Sequence, residues 1–155
     1  MAGERGRPAI GVKTRVTLGK AALRDLPLIE LWYEETARAV ERGEIPTGGP
    51  DLRGRFDGGG LWVVRREGEA APIGALDAEE GWPAEGWVTI EWLGLAADDR
   101  GRGYGSEAIR RFESRHKRAR FLAQIDPGNG LALYFWLRLG YRPGAGGGNL
   151  LAQAK

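Results

Sequence analysis

The sequence predicts an α/β fold built on a mixed sheet. Strand-like and helix-like segments alternate along the chain: strand, helix, strands, helix, strand, helix, strand. Apolar residues recur at helical spacing in the second group and concentrate in short runs in the first. A glycine-rich turn, Arg100-Gly101-Arg102-Gly103-Tyr104-Gly105-Ser106, follows one apolar run and opens an amphipathic segment. The chain has 155 residues, of which 42% are hydrophobic and 28% charged. That is one domain with room for a real core. Residues 1–12 are expected to form a flexible lead, and residues 13–155 the domain.

The elements follow in order. Lys13 to Leu18 alternates weakly and predicts a first strand. Asp25 is placed as the N-cap of the first helix, with Pro27 tolerated in its first turn. Ile29, Trp32, Tyr33, Thr36, Ala37 and Val40 then fall at helical spacing on one buried face. Residues 43–60 are rich in glycine, proline and charge, which predicts a long loop with room for one short helix. Leu61 to Arg66 and Pro72 to Ala78 read as strands around a Glu67-Gly68-Glu69 turn, and 79–86 as an acidic loop. Trp87 to Ala96 is the strand entering the glycine turn. The second helix is expected from Gly103 to Lys117, burying Gly105, Ala108, Ile109, Phe112 and His116. Ala119 to Ile125 is a strand, Asn129 to Leu139 a third helix. Tyr141 to Pro143 and Asn149 to Gln153 are expected to form a final hairpin.

Composition excludes several chemistries. There is no cysteine, so disulfides, zinc–thiolate sites and thiol nucleophiles are out. A single histidine, His116, argues against a His-rich metal site or a Ser-His triad. No metal is expected. No apolar run is long enough to span a bilayer, and residues 1–8 lack the apolar stretch of a secretory signal. A cytoplasmic protein is the expectation. The net charge of +2 says little about nucleic acid. The one phenyl ring in the basic stretch from Arg110 to Arg120, Phe112, falls on the helix's apolar face and leaves no aromatic for base stacking, so neither a nucleic-acid nor a membrane partner is expected.

The glycine turn carries the chemistry. Backbone N–H groups at a helix N-terminus are unpaired, and the helix dipole is positive there, so the turn suits a phosphate. Gly103 and Gly105 lack a Cβ and let an anion approach the backbone. The spacing is not the G-x-G-x-x-G dinucleotide fingerprint, and no Gly-Lys-Ser/Thr follows as in a P-loop. The competing reading is a tight turn that only ends a strand and starts a helix.

Arg100-x-x-Gly103-x-Gly105 after a strand resembles the acyl-CoA-binding signature of the GNAT-type N-acetyltransferases. A second stretch, Asn129-Gly130-Leu131-Ala132-Leu133-Tyr134-Phe135-Trp136-Leu137-Arg138-Leu139-Gly140-Tyr141, is similar to that family's other signature. The resemblance covers roughly residues 60–143 well. It implies a mixed, mostly antiparallel central sheet flanked by helices, in which a splayed strand pair binds acyl-CoA. It also implies acetyl-CoA as co-substrate. The backbones of Leu93 and Leu95 would pair with the pantetheine arm, although both leucines also read as core. Arg100, Gly101, Arg102, Gly103, Tyr104, Gly105 and Ser106 would wrap the pyrophosphate. Asn129 reads first as the N-cap of the third helix, a role compatible with contact to the pantetheine arm.

Acetyl transfer to an amine also needs a base and an outlet for the thiolate. Glu91 is the base candidate. It stands in an apolar strand, where a carboxylate is costly to bury unless paired or wet, and burial would raise its pKa. An edge or salt-bridged glutamate is the alternative. In strict alternation Glu91 shares a face with Leu93 and Leu95. Many members of the family carry a tyrosine at the place of Trp136, and an indole N–H does not protonate a thiolate. Tyr134 is the nearest phenol and the candidate acid, but two helical residues turn it about 200° away. Water, or unassisted departure of the thiolate, stays open. His116 reads as structural. An acceptor would lie among Trp32, Tyr33, Glu34, Glu35, Glu79, Glu80, Trp82 and Trp87, where aromatics and carboxylates suit a cationic amine.

The sequence therefore points to transfer of an acetyl group from acetyl-CoA to a small-molecule or peptide amine, by direct attack in a ternary complex. A catalytically weak acyl-CoA-binding domain with a sensing role is the alternative, and an RNA-binding domain the more distant one. A homodimer is among the assemblies the sequence permits.

Overall fold

The computed structural model describes residues 14–38, 51–125, 130–144 and 150–153, with the side chains of 36–38 and 130 outside the description. The expectations for 1–12, Lys13, Val40 and Asn129 fall outside these ranges.

Strand β1 (Val16–Lys20) buries Val16 and Leu18 and exposes Thr17. It pairs with β2 (Leu61–Arg66) from Val16↔Arg66 to Lys20↔Trp62. This ladder carries the strand two residues past the Leu18 where its apolar pattern ends. Helix α1 (Leu26–Arg38) follows a 3₁₀ turn at Leu23–Asp25. Asp25 is not the N-cap of α1. It closes the 3₁₀ turn, and its carboxylate accepts the Ala22 N–H at 2.7 Å, satisfying an upstream donor rather than a downstream one. Ile29 and Trp32 are buried as their spacing predicts.

The loop preceding β2 contains the short α2 (Leu52–Asp57), capped by Asp51, whose carboxylate accepts the Gly54 N–H at 3.0 Å. Strand β3 (Pro72–Glu80) runs two residues past the predicted Ala78, because Glu79 and Glu80 pair with Thr89 and Val88 of β4 (Trp87–Leu95). Helix α3 (Tyr104–Arg115) buries Gly105, Ala108, Ile109 and Phe112, as predicted. Strand β5 (Arg120–Gln124), helix α4 (Gly130–Arg138), β6 (Tyr141–Pro143) and β7 (Leu150–Gln153) complete the described chain.

The seven strands form one sheet in the order β1-β2-β3-β4-β5-β7-β6. Every pairing is antiparallel except β4 with β5. This is the mixed, mostly antiparallel sheet that the sequence predicts. The final hairpin forms, but β7 rather than β6 lies against β5. Each face of the sheet is covered. On one, Ile109 and Phe112 of α3 and Trp136 of α4 pack on Val88, Ile90 and Phe121. On the other, Ile29 and Trp32 of α1 and Leu52 of α2 pack on Leu61, Val63 and Ala75.

Gly74 holds β3 and β4 at close approach. A Cβ there would stand 2.5 Å from Leu95 Cδ2 and 2.6 Å from the Gly94 carbonyl. Relief requires movement of β4 backbone. Gly74→Ala is accordingly expected to destabilise the protein by about 1–3 kcal/mol, read as a lower urea midpoint.

Candidate active site

Strand β4 is double-paired only in its first half. Its contact with β5 runs from Trp87↔Arg120 to Ile90↔Ala123, while its contact with β3 continues to Gly74↔Leu95. Beyond Ile90 the two parallel strands diverge, and β4 presents a backbone edge. The Ala96 N–H donates to Ile73 of β3 at 2.8 Å. Alternation then directs the N–H and C=O groups of Leu95 and Leu93 away from β3, toward the opening. The Leu95 carbonyl accepts Arg100 Nε at 3.0 Å.

The glycine turn lies at the end of this edge. Gly101 and Gly103 have φ of 75° and 84°, a left-handed conformation that glycine adopts without penalty. Gly103 is the N-cap of α3 and has no side chain to bond the first-turn N–H groups. The first intrahelical bond is Glu107 N–H to Gly103 O, at 3.1 Å. The N–H groups of Tyr104, Gly105 and Ser106 therefore precede the helical ladder. Gly105 has a different reason to be glycine. A Cβ would stand 3.3 Å from the Phe135 ring and 3.5 Å from Leu93 Cδ2, so its missing side chain seats α4 against α3 and β4.

Arginines surround the turn, but each is engaged. Arg100 lies 3.4 Å from Glu35 of α1. Arg102 Nε donates to the Asp98 carbonyl at 3.2 Å. Arg15 stacks on the Tyr104 ring and pairs with Glu107 at 3.0 Å. Glu107 also accepts the Arg15 and Val16 backbone N–H groups, at 2.8 and 3.1 Å, tying β1 to the start of α3.

The base candidate sits at a bulge. Asp77 pairs with Trp92 and Ala78 with Ile90, so Glu91 is an extra residue in β4. The bulge breaks the strict alternation. Ile90 and Leu93 pack on the α3 side and Trp92 on the α1 side. Glu91 consequently does not share a face with Leu93 and Leu95. It stands half-buried among Asp77, Glu79 and Arg55 on the α1/α2 face. Burial raises its pKa, Asp77 and Glu79 push it the same way, and Arg55 opposes them. Arg55 is held by Asp77, with Nε and Nη2 each 2.8 Å from Oδ1, and lies 3.5 Å from Glu79. Trp92 stacks edge-on with Tyr33, and its buried Nε1 has no hydrogen-bond partner among the described residues.

Asp77 and Arg55 are the site residues that sequence reading missed. Asp77 carries the same signal as Glu91, a carboxylate inside an apolar strand. Arg55 has no local signal, since charged residues are ordinary in such a loop.

The remaining candidates separate. Trp136 is 4% exposed and stacks on Tyr141. Tyr134 is 62% exposed, with Arg138 against its ring. Tyr141 is buried and donates to Glu113 at 2.7 Å; burial and that carboxylate raise its pKa. His116 packs on Phe112, with Nδ1 3.0 Å from the Phe112 carbonyl and Nε2 3.4 Å from Glu80. Trp32 is core, whereas Tyr33, Glu35 and Glu79 lie on the side of the bulge or the glycine turn. Glu80 and Trp87 line an open groove of about 700 Å³ at the other end of β4, where that strand begins its pairing with β5. Among the described residues no cluster of acidic or imidazole groups could hold a metal, and no helix is long and apolar enough to cross a membrane.

The model of the acetyltransferase (GNAT) family matches residues 26–141. The chain belongs to this family. Solved structures with the same fold include an acetyltransferase from Thermus thermophilus, with 24% identity and a TM-score of 0.67 over 89% of this chain and 94% of that one. A GNAT family acetyltransferase from Brucella melitensis, solved with acetyl-CoA, has 15% identity and a TM-score of 0.63 over 92% and 89%. An N-acetyltransferase from Staphylococcus aureus has 14% identity and a TM-score of 0.63 over 88% and 94%. No curated protein sequence matches this one significantly.

Glu107 generates a stability prediction. Burial alone would raise its pKa, but the bonds from Arg15, Val16 and Arg111 outweigh burial and lower it. A depressed carboxylate stabilises the fold above its unfolded pKa, and that contribution is lost as pH falls through the folded value. Glu107→Gln is expected to lower Tm at pH 7, with the gap to the parent closing as pH falls through the lowered folded value.

Proposed function

We propose that this GNAT family member is an acetyl-CoA-dependent N-acetyltransferase acting on a primary amine, by direct attack in a ternary complex. The single observation that carries the reading is the divergence of β4 from β5 beside the uncapped start of α3. The edge and the helix start offer complementary groups for an amide-bearing arm and an anion, so the residues present fit acyl-CoA. When bound, acetyl-CoA supplies an acetyl group activated as a thioester.

The chain's own residues would divide the work. Tyr104, Gly105 and Ser106 bind the pyrophosphate through backbone N–H groups, in the positive field of α3. Arg100, Gly101, Arg102 and Gly103 shape that turn. Leu93 and Leu95 orient the pantetheine arm through their outward backbone groups. Glu91 takes the proton of the acceptor amine as it attacks, directly or through one water. Burial and the neighbouring Asp77 raise the pKa of Glu91, which makes it a stronger base than an ordinary glutamate. The acceptor enters on the face of Tyr33, Trp92 and Glu79, a small molecule or a peptide terminus with a cationic amine.

No phenol is assigned to the leaving thiolate. Trp136 is buried and Tyr134 points its ring at Arg138. A thiolate with a pKa not far above neutrality leaves without much assistance.

A thiol-release screen of amines with acetyl-CoA tests the activity. With a confirmed acceptor, Glu91→Gln should lower kcat by ~10²-fold and remove the acidic limb of the pH–rate profile. Tyr134→Phe should leave kcat within a few fold; a nearly inactive, folded variant would make Tyr134 the acid. Binding without turnover across a broad acceptor panel would favour an acyl-CoA sensor instead.

Calorimetry tests the phosphate cradle. Gly103→Val should weaken CoA binding by at least about tenfold, because a β-branched residue resists the left-handed conformation that the turn requires. Circular dichroism should stay close to the parent.

A further inference from the structure

Glu91 lies within electrostatic reach of a cation and is not paired with it. Among the described residues, the ion pairs of Arg55 go to Asp77 and Glu79. The side chain of Asp77 is only 3% exposed; its Oδ1 accepts a hydrogen bond from Arg55 Nε, while Nη2 lies 2.8 Å from the same oxygen and has no hydrogen-bond partner among the described residues. The cradle is built on both sides. Asp51 caps the helix that carries Arg55, and Leu52 anchors it in the core. Gly60 leaves room for the guanidinium, since a Cβ there would stand 3.1 Å from Nη2. Asp77 itself is fixed opposite Trp92, next to the bulged Glu91.

We propose that Asp77 is a positioning residue: by holding the Arg55 guanidinium it denies Glu91 a counterion and so keeps Glu91 competent as a base. The inference rests on the reading of Glu91 as the base. Loss of the Asp77 charge would free Arg55 for the carboxylates that remain, Glu91 and Glu79. A paired carboxylate titrates lower and is a poorer base. The groups facing Glu91 are Asp77 and Glu79 from β3 and Arg55 from α2. From α1, Tyr33 stacks on the adjacent Trp92, and the Glu35–Arg100 pair stands where the strands diverge. Among the described residues, none of these offers a second unengaged cation.

The test is a titration of Glu91 in the full chain by NMR of ¹³C-labelled glutamate carboxyls, with the Glu91 signal assigned by its loss in Glu91→Gln. In Asp77→Asn the Glu91 midpoint should fall by about one pH unit or more. The acidic limb of kcat/KM should move down with it, and kcat at neutral pH should drop. In the double variant Arg55→Met/Asp77→Asn the midpoint should return to the parent value or above, because the freed cation is gone. Replacing both members of a buried pair by neutral groups is commonly tolerated, so the double variant is expected to fold. Asp77→Ser repeats the single-variant measurement with a smaller neutral side chain. An unmoved or raised midpoint in the single variants, or a double variant that behaves like them, overturns the positioning role whatever the activity. A midpoint that falls while the rate profile stays in place overturns the base assignment instead.

Discussion

Strand β4 has two partners as far as Ile90 and one partner beyond it. A strand edge inside a sheet leaves backbone donors and acceptors unpaired, and an unpaired buried backbone group is costly. The rest of the architecture manages this exposed length. Gly74 lets β3 approach closely enough to hold β4 from one side. Gly105 lets α4 close over Leu93 through Phe135. Arg100 occupies the last outward carbonyl, that of Leu95. What remains open is a short row of amide groups leading to a helix start that no side chain caps.

The bulge at Glu91 divides the labour between the two faces of the sheet. On one side of β4 lie Leu93 and the glycine turn, the side proposed for the cofactor. On the other, Glu91 and Trp92 face α1 and α2. In strict alternation from Ile90, Leu93 would share the face of Glu91; the extra residue leaves Glu91 and Trp92 on the α1/α2 face and returns Leu93 to the α3 face, because side-chain period in a strand is two. The bulge also brings the proposed base, Glu91, beside the Asp77–Arg55 pair, of which the Asp77 side chain is buried. Electrostatics and topology are thus set at one position. The raised pKa of Glu91 comes from burial first and from neighbouring carboxylates second, with one opposing cation, Arg55, whose hydrogen bond goes to Asp77.

Much of this is legible in the residues. The strand Leu61–Arg66 has the bounds its composition predicts, and the buried face of α3 is the one its spacing predicts. These elements are locally consistent, with flanking turns and periodic apolar positions that agree. Asp25 departs from its predicted role because a carboxylate near a helix start can serve a donor on either side of it, and local sequence does not choose. Strand ends differ where pairing extends them, as at Lys20 and Glu80. The place of β7 between β5 and β6 depends on contacts between segments far apart in the chain, which no local pattern encodes.

The sequence by itself determined the fold class, the glycine turn between β4 and α3, and the charged residue in an apolar strand. Each is a local property: periodicity, backbone freedom at glycine, and the cost of burying a carboxylate. Only the tertiary structure decided which face Glu91 takes, that Gly105 serves helix packing, and that Arg55 is held by Asp77. Those depend on a one-residue shift in strand register and on a residue of the short helix α2 reaching 22 positions along the chain. A register shift leaves no mark on composition, and a long-range ion pair none on spacing, so neither is visible until the sheet is assembled.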